Sequence, residues 1–178
     1  EYQDVEKILV ATGRKSNIDK LGLENLGINN PISLYNNKTT QLGNYNIFLA
    51  GDVNNDIPLL HESAKEGVIA GVNASSYPEI KIHTRHVPLS IVFTSPQIMQ
   101  VGQTKNLPIE TIKGQVSFED QGRSRVMLKN KGLLNIYFSH DNHLLIGAEM
   151  IGPDAEHVAH LLSWAMEKKS TLEEMLEF

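Results

Sequence analysis

The sequence predicts an α+β protein: an antiparallel sheet with helices on one side, preceded by a shorter, incomplete segment. Two observations carry that expectation. From Ser90 onward, short apolar runs alternate with turn residues, and two helical patterns follow them. Before Ser75 there are only two short apolar runs and one long helical pattern, too few elements to bury a stable core alone.

Taken in order, Val5 to Ala11 (VEKILVA) is an apolar run that ends at Thr12-Gly13-Arg14, the pattern of a buried strand entering a glycine turn. Asn17 to Leu42 is polar, with Gly22, Gly27 and Pro31, and is expected to be loop with a helical turn near Leu23 and one short strand. Ile47 to Ala50 reads as a second strand, stopping at Gly51-Asp52. Leu59 to Ala74 reads as a helix whose face of Leu60, Ala64, Gly67, Val68, Gly71 and Val72 is apolar or small. Asp56 is placed to cap it, and Pro58 suits its first turn. Its interior glycines cost about 1 kcal/mol each, which points to close approach by a backbone or ligand.

Ser75 to Pro88 is polar with two prolines and marks the predicted boundary between the regions. Six strands are expected beyond it: Ser90–Phe93, Ile98–Gly102, Gly114–Phe118, Arg125–Lys129, Leu133–Ser139 and Leu144–Met150. Asp154 to Lys168 is a helix, with Pro153 and Asp154 as start signals and Ala155, Val158, Ala159, Leu161, Leu162 and Ala165 inward. Thr171 and Glu174 have capping-box spacing and open a last helix. Its amphipathic pattern is still running at Phe178, and the chain begins without Met, so a piece of a longer protein is expected.

Composition excludes several functions. With 40% hydrophobic and 21% charged residues the chain is an ordinary globular sequence. A net charge of −5 without a basic stripe argues against a nucleic-acid partner. No apolar run nears the ~20 residues of a membrane span, and Glu1-Tyr2-Gln3-Asp4 is not a signal-peptide start. There is no cysteine, hence no disulfide, thiolate zinc site or thiol catalysis within these residues, and the expected compartment is cytoplasmic.

Gly51-Asp52 has two readings. A glycine after a buried strand lets a backbone approach a ligand, and the carboxylate could accept hydrogen bonds from sugar hydroxyls. It could equally be an Asx turn or a cap. The first turn at Pro58-Leu59-Leu60-His61 carries the positive end of a helix dipole and suits an electron-rich ligand. Gly13 serves a strand-end turn or a passing cofactor. Asp154, Glu156, His157 and His160 cluster on one helix but lack a converging further ligand, so no metal site is expected. No G-x-G-x-x-G, nucleophile elbow or H-E-x-x-H is present, and no residue is assigned as catalytic.

The ordered set has a likeness. Ala11-Thr12-Gly13-Arg14-x-x-Asn17, Gly51-Asp52, Leu60-His61-x-x-Ala64-x-x-Gly67, Val92-Phe93-Thr94-x-Pro96 with Val101-Gly102, and Gly147-Ala148-x-x-Ile151-Gly152-Pro153 occur in sequence. This resembles the C-terminal part of the flavin-dependent pyridine nucleotide-disulfide oxidoreductases, dihydrolipoyl dehydrogenase-like members most of all. The resemblance covers essentially the whole chain.

It implies that residues 1–80 are the end of an NAD domain and the return segment of an FAD domain, and that residues 87–178 are a dimerisation domain forming a homodimer. Gly13 would lie against NAD. Asp52 would bind the ribityl or phosphate side of FAD, and Pro58, Leu59, Leu60 and His61 would sit under the flavin ring. The full protein would use FAD and NAD and could serve a 2-oxo acid dehydrogenase complex. These residues alone would bind FAD weakly or not at all and would not catalyse. Ser16 stands where many members have Pro, and the family's cysteine pair and His-Pro…Glu pair fall outside this stretch. The same scaffold leaves open a glutathione or mercuric reductase, a flavin transhydrogenase, or a non-catalytic dimerisation module.

Overall fold

The computed structural model describes residues 5–178; Glu1 to Asp4, the start of the predicted first region, lie outside the described residues. The chain forms two compact units, the first ending at Arg85 and the second spanning His86–Phe178.

The first unit holds a small core of Ile18, Leu42 and Leu49, with Leu23, Tyr35, Ile47 and Val53 packed around it. Short 3-10 turns cover Ile18–Lys20 and Leu23–Leu26, the latter where a helical turn is expected. Helix α1 is Pro31–Leu34, its Asn30 cap accepting from the Ser33 N–H. Two strand expectations fail here. Val5 to Ala11 has no ladder partner among the described residues, and Ile8, Leu9 and Val10 are exposed. A strand is stable only against a neighbour that satisfies its backbone groups. Ile47 to Ala50 shrinks to a single bridge between Phe48 and Gln41.

Helix α2 spans Leu60–Ser76. Its buried stripe is Glu62, Glu66, Ile69 and Asn73, a 4-3-4 spacing that keeps all four on one side. The face expected to be inward is turned out: Leu60 is 88% and Val68 66% exposed. Polar residues take the inner stripe because each finds partners there. Asn73 Nδ2 donates to the carbonyls of Thr39 and Lys81 at 3.0 Å, and its Oδ1 accepts the Lys81 N–H at 2.9 Å. Asp56 does not cap α2. Leu59 occupies the cap position with no side-chain bond, since Ile57 to Leu59 separate Asp56 from the first turn. His83 is half-buried.

The second unit is an antiparallel five-stranded sheet in the order β1-β2-β5-β4-β3, with β1 Leu89–Val92, β2 Gln97–Gly102, β3 Ile112–Ser117, β4 Leu133–Phe138 and β5 Leu145–Gly152. Register places Met99 opposite Met150 and Val101 opposite Ala148, and these side chains form one face. Helix α4, Ala155–Glu167, lays Ala155, Ala159, Leu162 and Met166 on that face. Leu161 of its predicted apolar side is instead exposed. The opposite face carries a polar row. Gln115 donates to Asn135 at 2.7 Å, and Asn135 and the Tyr137 hydroxyl both donate to Glu149, at 3.1 and 2.7 Å. Burial first, and the Glu149 carboxylate second, push the Tyr137 phenol up to about 12.

One predicted strand of this unit is a helix. Arg125 to Lys129 covers the last residues of α3, Gly122–Val126, and the turn that follows it, and its apolar Val126 and Leu128 are exposed. The Gln121 side chain caps α3 by accepting from the Ser124 N–H at 2.6 Å. Leu128 then adopts a left-handed φ of 56°, which reverses the chain toward β4. Helix α5, Leu172–Leu176, starts with the expected Thr171–Glu174 capping box. Among the described residues, no helix is long and apolar enough to cross a membrane.

Candidate functional site

The site is built within the first unit from three segments: the turn after Gly13, the turn after Gly51 and the start of α2. Gly51 has φ +81°, a left-handed conformation that an L side chain rarely adopts. A Cβ there would also meet Ser63 at 3.3 Å. Glycine thus lets the chain swing into the one-turn 3-10 helix Asp52–Asn54 against α2.

That turn aims the Asp52 carboxylate at two donors. Arg14 Nη1 donates to Oδ2 at 2.5 Å, and Ser63 Oγ donates to Oδ1 at 3.1 Å. Arg14 Nη2 also donates to the Pro58 carbonyl at 2.7 Å. One guanidinium therefore joins the Gly13 turn, Asp52 and the entry to α2. The pair remains open to solvent, with the Arg14 and Asp52 side chains 66% and 48% exposed. Such a pair contributes about 0–1 kcal/mol, so its value lies in arrangement rather than stability. Asp52 keeps lone pairs free to accept further hydrogen bonds.

The expected site residues are distributed as follows. Gly13 has φ +144° and open space where a Cβ would be. Pro58 and Leu59 lead into α2, whose first N–H groups have no capping side chain. Leu60 and His61 stand exposed at that start, and His61 Nε2 lies 4.0 Å from the carboxylate of its neighbour Glu62. An exposed carboxylate beside an uncapped helix start fits a ligand that offers hydroxyl donors to one and an electron-rich edge to the other. The donor set is thus compatible with a flavin nucleotide.

Sequence reasoning missed the support beneath this surface. Glu66, 1% exposed, accepts from the Gly51 N–H at 2.7 Å and from Asn54 Nδ2 at 2.6 Å. Arg85 donates to Glu66 at 2.9 Å through both terminal nitrogens and to Glu62 at 2.6 Å. Burial lowers the Arg85 guanidinium, but the hydrogen bonds and charges of Glu66 and Glu62 outweigh it and raise it overall. Burial, followed by the Glu66 charge, pushes the nearby Tyr35 phenol up to about 12. The available signal was the pair of acidic residues at i and i+4, Glu62 and Glu66, among small residues of α2.

The acidic and histidine residues of α4 do not converge: His157 is exposed and its nearest acid is the adjacent Glu156 at 3.9 Å. Among the described residues, Glu110, His140 and Asp141 are the group that approaches metal-ligand spacing, and all three are exposed. Exposed acidic groups with such spacing are common without an ion.

Residues 88–177 match the family described as pyridine nucleotide-disulphide oxidoreductase, dimerisation domain. The chain is 30% identical to a dihydrolipoyl dehydrogenase of Haloferax volcanii over 184 aligned positions, covering 98% of this chain and 38% of that protein. It is 28% identical to a mercuric reductase of Staphylococcus aureus, covering 98% of this chain and 33% of that protein. In structure it resembles LpdA of Mycobacterium tuberculosis, with a TM-score of 0.70 and 21% identity over 92% of this chain and 37% of that one. That last likeness is one of fold. The chain spans less than two-fifths of the length of the dihydrolipoyl dehydrogenase it matches.

Proposed function

The chain belongs to the pyridine nucleotide-disulphide oxidoreductase family through its dimerisation domain, and from that premise we propose that it is part of a dihydrolipoyl dehydrogenase-like flavoprotein. The observation that carries this reading is that the likeness to a dihydrolipoyl dehydrogenase runs through both units rather than the dimerisation domain alone. In this reading residues 1–80 close the NAD domain and return to the FAD domain, and residues 87–178 pair with a second copy to make a homodimer.

Bound FAD would supply a two-electron acceptor between a dithiol and NAD. The residues of this chain bind and orient. Asp52 accepts hydrogen bonds from the ribityl or phosphate side, held by Arg14 and Ser63. Pro58, Leu59, Leu60 and His61 place the positive end of α2 beneath the ring, where it favours negative charge. Gly13 leaves room for NAD at its turn. With no cysteine in the chain, the redox-active dithiol comes from outside these residues, and this stretch alone is inactive. The full protein serves a 2-oxo acid dehydrogenase complex by reoxidising its dithiol cofactor.

The full-length protein is expected to purify yellow, to lose its flavin absorbance on adding dihydrolipoamide, and to regain it on adding NAD. A flavoprotein that ignores dihydrolipoamide but consumes reduced nicotinamide with mercuric ion would move the assignment to the mercuric reductase branch. A colourless protein would remove the flavoprotein reading altogether.

A further inference from the structure

We propose that Glu66 is a positioning residue for Asp52, acting through the turn that carries it, a role that rests on the flavin-binding reading of Asp52 given above. At 1% exposure Glu66 has no surface to offer a ligand, so any effect on binding must pass through its neighbours. Those neighbours bracket Asp52. A single oxygen, Oε2, accepts from the backbone N–H of Gly51, the residue before Asp52, and from Nδ2 of Asn54, two residues after it. Both ends of the 3-10 turn that presents the carboxylate are thereby tied to one atom. Ser63, three residues earlier on α2, donates to the carboxylate itself at 3.1 Å. Helix α2 thus fixes the turn through Glu66 and the side chain through Ser63.

The other oxygen explains why the clamp is rigid. Oε1 accepts from both terminal nitrogens of Arg85 at 2.9 Å, so with Oε2 held by Gly51 and Asn54 both carboxylate oxygens are engaged and rotation of the group is restrained. Arg85 is in turn held by Glu62 and by the Asn37 carbonyl, at 2.6 and 3.2 Å. Buried ion clusters add little net stability over apolar packing, so their retention under a ligand-facing turn favours a role in geometry. Small displacements of a binding group have large consequences for a bound ligand.

The test is a double-substitution cycle in the full-length flavoprotein, read as the dissociation constant of FAD from the reconstituted apoprotein. Glu66→Asp keeps the charge and the Arg85 pairing but is too short to span to Gly51 and Asn54 as well. Asp52→Asn alone is expected to weaken FAD about tenfold, the value of one charge-assisted hydrogen bond. Glu66→Asp should weaken it by a similar factor and shift the flavin absorbance bands in the same direction, with far-UV circular dichroism unchanged. The double variant should bind no worse than Asp52→Asn alone. Multiplicative losses, or wild-type affinity in Glu66→Asp, would overturn the positioning role while leaving Asp52 as a ligand. Wild-type affinity in Asp52→Asn would overturn both. If Glu66→Asp does not fold, Asn54→Ala cuts one arm of the clamp, and the same cycle with Asp52→Asn is read by the same criteria.

Discussion

Replacing Arg85 with methionine is expected to destabilise the first unit by about 3–5 kcal/mol, the cost of stranding buried charges. Glu62 and Glu66 are 3% and 1% exposed and lie one helical turn apart on α2. Arg85 is the cation that faces both, with only 14% of its side chain exposed. Without it, two buried carboxylates lose their arginine counter-charge and its hydrogen-bond donors. The comparison that isolates burial is Arg14→Met. That substitution also breaks an arginine–carboxylate pair, but an exposed one, and should cost no more than about 1 kcal/mol. Urea denaturation followed by far-UV circular dichroism measures both. Equal midpoints for the two variants would mean that Arg85 acts as a surface residue.

Gly147→Ala is expected to disrupt the sheet of the second unit, with a loss of about 3 kcal/mol or more, beyond the usual range for overpacking. Gly147 lies in β5, between β2 and β4, opposite Gly102 and Tyr137. A Cβ built there would fall 1.8 Å from the Gln103 carbonyl oxygen and 2.6 Å from its carbon. Both are backbone atoms, so no rotamer change relieves the overlap and β2 must part from β5. Far-UV circular dichroism during urea denaturation measures the loss. A variant with the wild-type midpoint would show that the strands separate at little cost.

The sheet of the second unit was legible because its determinants are local. Alternation along β2 puts Met99 and Val101 inward, and the register repeats that choice on β5. Thr171 and Glu174 are three residues apart and satisfy one another, so their capping box could be read directly. The misreadings have non-local or conformational causes. Val126 to Leu128 looks like strand by side-chain type, yet a backbone reversal at Leu128 decides the outcome. Val5 to Ala11 has strand composition, but pairing depends on a neighbour that no described segment provides. The inner face of α2 was inverted because burial of Glu62, Glu66 and Asn73 depends on Arg85 and Lys81, which lie beyond the helix. At the site itself, Asp52 stood out through the Gly51 turn, whereas its partner Arg14 lies 38 residues away and has no local signature.

Hydrogen–deuterium exchange of the full-length protein with and without FAD measures directly where FAD lies against this chain. Reconstitution with FAD should slow exchange in peptides covering Gly51 to Ser63, most strongly at the uncapped N–H groups of Leu60 and His61. Protection there, with the outer face of α4 unchanged, is the predicted result. Exchange in Gly51 to Ser63 that is identical in the apo and FAD-loaded protein would contradict the assignment.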